Sequence, residues 1–126
     1  MRLAAACSIL LAFATSALAV DAEYKKCVDK SDGTNVAYSD CGYAMLKRDD
    51  DRLNAAWKDA LAAMPSDESK KSLLEEQRAW NAYKEKSCLI YTGDDFGREG
   101  QVLNYPTCRA EVIESRTRYL RTLKDG

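Results

Sequence analysis

Apolar side chains return every three or four positions through the middle of the chain. Met45, Leu53, Ala56, Trp57, Ala60, Leu61 and Met64 fall on one helical face, with Lys47, Arg48, Asp51, Lys58 and Asp59 on the other. Pro65 ends this element, because its ring clashes with continued helical backbone. Ser66, Asp67 and Glu68 then supply a cap and an acidic first turn. A second helix is expected from about Glu68 to Ile90, its stripe made by Leu73, Gln77, Trp80, Lys84 and Cys88, with Leu74, Asn81 and Tyr83 beside it. The short Pro-Ser turn between the two predicts an antiparallel hairpin. Thr92 to Gln101 is rich in glycine and polar residues and reads as a loop. Pro106 suits the first turn of a third helix. Its face is Cys108, Val112, Tyr119 and Leu123, flanked by Ile113, Arg116 and Leu120, with Glu114 and Arg118 as a stabilising pair one turn apart. Val20 to Asn35 is polar and broken by Ser31-Asp32-Gly33, after which Thr34 can cap a helix. No alternating strand pattern competes. The expected fold is all-α: a small helical domain made of an antiparallel hairpin plus a C-terminal third helix.

The first nineteen residues stand apart, with Arg2 followed by an apolar run and the small-x-small site Ala17-Leu18-Ala19. That order describes a secretory signal peptide rather than a membrane span. Residues 20–126 then form one domain. Val20 follows the cleavage site where a lipoprotein needs cysteine, so no membrane anchor is expected after cleavage. Arg2 leaves with the leader, and the formal charge of −1 for the whole chain becomes about −2. Without a basic excess, a nucleic-acid partner is not expected. The chain has 0 histidines, which excludes histidine-ligated metals, Ser-His-Asp and Cys-His nucleophiles, and histidine proton shuttles.

Cys7 lies in the leader and leaves Cys27, Cys41, Cys88 and Cys108. In an oxidising compartment these read as two disulfides with three possible pairings. Sequence neighbours favour Cys27–Cys41 and Cys88–Cys108, each worth about 3 kcal/mol in the chain-entropy picture. A four-thiolate zinc site lacks the close cysteine pair it needs. Asp49-Asp50-Asp51 cannot converge on calcium, since consecutive helical residues point about 100° apart. They read as a solvated face with one inward aspartate. Asp94 and Asp95 lack the twelve-residue calcium-loop pattern. A glycosidase pair of carboxylates needs a cleft that so small a helical domain has little room for. Trp57 and Trp80 sit on core-facing stripes, and packing explains them better than sugar stacking. Neither a metal nor a cofactor is expected, and the chain does not read as an enzyme. Its 7 tyrosines fit a binding surface or half-buried packing equally well.

The string Gln77 to Cys88, QRAWNAYKEKSC, resembles the signature of the lysozyme inhibitor LprI-like family of small exported bacterial proteins. Gln77, Arg78, Ala79 and Trp80 match its start, and Tyr83, Lys84, Glu85 and Cys88 its later positions. Cys41 with Asp50, Leu53, Asn54 and Trp57 is similar to the family's preceding helix. Cys108, Arg116 and Leu120 are similar to its closing helix. The sequence departs from the family at Lys84, more often arginine, at Ala37 and Ile113, and at Gly97-Arg98-Glu99-Gly100-Gln101, where a Gly-Gly-Ser-like stretch is common.

The motif also has a physical explanation in the fold. Trp80 can fill the space between helices, Gln77 can satisfy a neighbour's polar group, and Lys84 or Arg116 can pair with an inward Asp50. Cys88 would staple the hairpin to the third helix. The resemblance implies a periplasmic or secreted protein that binds and occludes a peptidoglycan-cleaving lysozyme without catalysis. The alternative is a structural or adaptor module of the cell envelope with another protein partner; oligomeric state is not written in the sequence. Asp94, Asp95, Phe96 and Arg98 are the expected partner-binding loop: glycines allow close approach, Phe96 offers apolar contact and Arg98 a donor for carboxylate.

Overall fold

The structure, a computed structural model, describes residues 21–126, so the expected leader and Cys7 lie outside the described residues. The polar pattern after Val20 predicts no helix, yet α1 (Ala22–Lys30) forms there. Asp21 caps it by accepting from the backbone N–H groups of Glu23 at 2.9 Å and Tyr24 at 3.1 Å. Lys25 and Asp29 support it one turn apart. Thr34 then caps α2 (Asn35–Ala63), its hydroxyl accepting from the Ala37 N–H at 3.2 Å. Helix α2 ends just before Pro65, and the Ser66 hydroxyl caps α3 (Asp67–Lys86) by accepting from the Ser69 N–H at 3.1 Å.

The second long helix is shorter than its pattern predicts. It stops at Lys86 rather than Ile90, because Ser87 is extended and Cys88 takes a left-handed backbone with φ 68°. The expected loop is a string of turns instead. Leu89–Thr92 and Asp94–Phe96 are tight 3₁₀ turns, α4 (Gly97–Glu99) is a single turn, and Gly100–Asn104 is a wider π turn. This runs straight into α5 (Tyr105–Asp125), which carries Pro106 in its first turn as expected.

Helices α2, α3 and α5 alternate in direction, which leaves α2 and α5 parallel and in close contact along most of their length. Gly42 meets Pro106 at one end, and Lys124 reaches Asp59 at 3.1 Å near the other. A Cβ at Gly42 would sit 2.9 Å from the Cβ of Pro106, so this approach needs glycine. Leu53, Ala56 and Ala60 of α2 pack with Ile113 and Leu120 of α5, joined by Leu73 of α3. Trp57 and Trp80 lie half-buried against this core. A smaller cluster of Tyr24, Cys41 and Met45 holds α1 on α2. The disulfides are Cys27–Cys41 and Cys88–Cys108, with Cα separations of 5.7 and 5.9 Å, the pairing that sequence neighbours favour.

The face of α5 differs from its apolar pattern by about one residue. Arg109, Ile113, Arg116, Thr117 and Leu120 point inward, whereas Tyr119 is 41% exposed and Cys108 and Val112 are half-buried. Arginine permits this rotation because its stem covers apolar surface while its head reaches acceptors.

Candidate functional site

The three consecutive aspartates of α2 diverge, as helical geometry requires. Asp49 is the buried one, and it pairs with Arg52. Burial pushes its carboxyl above the ordinary range, opposed by Arg52 and reinforced by Asp21 and Glu114. Asp50 is half-buried toward α3, and Asp51 is exposed, held by Lys47 at 2.9 Å. The expected partners of Asp50 are therefore corrected. Among the described residues neither Lys84 nor Arg116 forms an ion pair with it. Arg116 instead donates to Gln77 Oε1 at 2.9 Å and pairs with Glu76.

This arrangement explains half of the α3 motif. Arg116 lies 5.9 Å from the Trp80 ring and 4.9 Å from that of Tyr119, whose hydroxyl donates to Glu76 at 3.0 Å. Gln77 and Trp80 thus serve to house an arginine of α5. Lys84 lies 5.6 Å above the same indole. Arg78 and Tyr83 do something else, because both are exposed.

Between α2 and α3 the helices do not close. Asp50, Asn54 and Trp57 face Gln77, Asn81 and Lys84 across a cleft of about 340 Å³. At Asp50 and Lys84 it meets a second cleft of about 480 Å³, walled by Tyr43, Tyr105 and Arg109. Those three residues belong to no motif recognised in the sequence. Their signal was slight: Arg109 stands one turn beyond Tyr105, and its guanidinium lies 5.2 Å from that ring.

The expected binding turn lies at one end of the bundle, beside Asn35, Val36, Ser39 and Asp40 at the start of α2. The structure does not bring it together with the motif cleft. Phe96 packs edge-on against Tyr91 with ring centroids 5.1 Å apart. Gly100 makes this fold-back possible, since a Cβ there would strike Phe96 and approach the Tyr91 carbonyl oxygen to 2.7 Å. Asp94, Asp95 and Arg98 are exposed, and Phe96 keeps 40% of its surface in solvent. The same end carries most of the exposed large apolar side chains: Val36, Tyr43, Tyr83, Leu89, Ile90 and Phe96. Such clustering marks interaction surfaces.

The family model described as lysozyme inhibitor LprI matches residues 27–120. The chain belongs to the LprI lysozyme-inhibitor family. No curated protein and no solved structure matches it significantly. The matched span runs from Cys27 to Leu120 and so contains both disulfides, the α2–α5 core and both clefts. Membership agrees with a binding role rather than catalysis and with a protein as the partner. Together with the disulfides it points to an extracytoplasmic location. No helix among the described residues is long and apolar enough to cross a membrane. Within this LprI-family chain, Gln77, Trp80 and Arg116 are occupied in packing, while Arg78, Tyr83 and the Asp94–Arg98 turn remain free to meet a partner.

Proposed function

We propose that the protein binds a peptidoglycan-cleaving lysozyme and blocks it by steric occlusion, as a periplasmic or secreted component of the bacterial envelope. The family match over residues 27–120 carries this reading. Lysozymes work through an acid and a carboxylate facing each other across a sugar-binding cleft. A blocker needs an exposed, partly apolar element on a firm support, with a donor for those carboxylates. The turn from Thr92 to Gln101 supports the reading on each count. The Cys88–Cys108 bond tethers it to α5, Phe96 and its exposed apolar neighbours supply contact area, and Arg98 supplies a charge-assisted donor. Asp94, Asp95 and the slight net negative charge add weak steering toward a cationic lysozyme.

The test is the clearing of a peptidoglycan suspension by lysozymes of animal and bacterial origin. The mature protein should slow it at micromolar concentrations. A folded Phe96→Ala, Arg98→Ala variant should lose roughly tenfold or more of that potency, the weight of two good interface contacts. Equal inhibition by both proteins removes the turn from the interface. No inhibition of any lysozyme overturns the function and favours an adaptor of the envelope.

A further inference from the structure

Helix α5 buries two arginines, each with one guanidinium nitrogen left unpartnered, Nη2 of Arg116 and Nε of Arg109, and only Arg116 has a counter-ion. Arg116 has Glu76 and Gln77 as partners. Arg109, 7% exposed, has backbone carbonyls alone: its Nη2 donates to the oxygens of Glu85 at 3.3 Å and Ser87 at 3.2 Å. Those bonds tie down the end of α3. Its Nε is buried without any partner, and no carboxylate among the described residues lies within ion-pair distance of the guanidinium. A buried cation lacking a counter-ion is costly, and a planar guanidinium offers a donor fork that matches an oxyanion such as a carboxylate.

Arg109 walls the open cleft of about 480 Å³ between α2, the end of α3 and α5. The Tyr105 ring flanks it, and Tyr43, 81% exposed, stands at the same cleft with no packing role. The lysines of this cleft are engaged, Lys47 with Asp51 at 2.9 Å and Lys84 with Glu85 at 3.8 Å. Asp50 is the remaining charge, half-buried and without an ion pair among the described residues.

We infer that this cleft is a carboxylate socket that takes an acidic side chain from a protein partner. Arg109 is the charge-assisted donor, and the rings of Tyr43 and Tyr105 are the flanking contacts. The oxyanion follows from Arg109; that it is the carboxylate of a protein's acidic side chain rests on the proposed inhibitor role. Asp50 is a built-in repulsive element, which sets the socket's affinity low until a partner's other contacts add to it.

The test titrates the protein with the blocked peptide acetyl-Gly-Glu-Gly-amide, its glutamine counterpart, and N-acetylmuramic acid, following the Arg109 Nε–H and Tyr43 ring signals by NMR. The glutamate peptide should shift both saturably and the glutamine peptide should not. Arg109→Gln should weaken binding roughly tenfold or more, the effect of losing a charge-assisted hydrogen bond. Because Arg109 also secures α3, Asp50→Asn provides an independent arm. Removing that carboxylate should tighten glutamate binding about threefold or more, which a merely structural Arg109 would not produce. Equal shifts with both peptides, no saturable shift, or weaker binding in Asp50→Asn overturns the socket. A response to N-acetylmuramic acid alone overturns the protein ligand in favour of a glycan. Peptide binding without lysozyme inhibition removes the inhibitor reading alone, and inhibition without peptide binding removes the socket alone.

Discussion

Helix α2 has two long neighbours and meets them in different ways. Toward α5 it presents Gly42, Leu53, Ala56 and Ala60, small or apolar side chains that let the helices approach along a packed core, with a charged cleft of about 390 Å³ between Arg48, Asp49, Glu114 and Arg118 confined to its edge. Toward α3 it presents Asp50, Asn54 and Trp57, and the facing residues Gln77, Asn81 and Lys84 leave an open cleft. Leu73 is the one residue of α3 that is buried. The first interface holds the fold together, and the second leaves polar groups and space for an encounter. The seam beside α3 and the end built from residues 88–104 carry the contacts proposed for a partner.

Truncations should expose that asymmetry most strongly. Leu120 is 0% exposed on the α2–α5 side, and Leu120→Ala should cost about 2–5 kcal/mol in denaturant unfolding. Trp80→Ala, on the half-buried α3 side, should fall below the ~3–5 kcal/mol of a fully buried tryptophan. A larger loss for Trp80 than for Leu120 would reverse the comparison. Cys88→Ser removes the covalent tie between the end of α3 and α5. It should cost about 2–5 kcal/mol, with α3 loosening before α2.

Two aspartates near α1 should respond to pH with opposite signs. Asp49 has a raised carboxyl pKa, so its contribution is full below the unfolded value and is lost as pH rises through the folded one. Stability of Asp49→Asn should therefore improve relative to the parent as pH rises above the ordinary carboxylate value of 3.8. Burial alone would raise Asp21 as well, but the N–H of Tyr24 and the Arg48 guanidinium outweigh it and hold the carboxyl below its ordinary range. Its contribution is present above the unfolded value and fades in acid, so the deficit of Asp21→Asn should be largest at neutral pH. Parallel pH curves for the two variants would contradict the assignment. The smallest effect is expected in the seam itself. Asn54→Ala and Asn81→Ala should change stability by no more than about 0.5 kcal/mol, since both side chains are exposed.

The elements that repeat every three or four residues were legible because they follow the packing they serve. The stripe of α2 is buried where its period places it, and the disulfides join sequence neighbours. The face of α5 differs because apolar periodicity leaves Arg109 out of it and sets Arg116 only at its flank. Arg109 and Arg116 turn inward since acceptors on α3 receive them, a fact written in another segment of the chain. Helix α1 has little apolar pattern of its own to announce it, because its stability comes from a cap at Asp21, a tie to Cys41 and Tyr24 packed on Met45. The motif residues of α3 were visible by resemblance, but sequence spacing does not say which of them pack and which stay exposed. The open clefts lie between elements distant in sequence, and no local pattern announces such a gap.

Native-state hydrogen exchange of the free protein tests the division between the two interfaces most directly. The central amides of α2 and α5 should exchange only through global unfolding, while those of α3 and of the 88–104 turns should open at lower free energy. Equal protection of α2, α3 and α5 would contradict it.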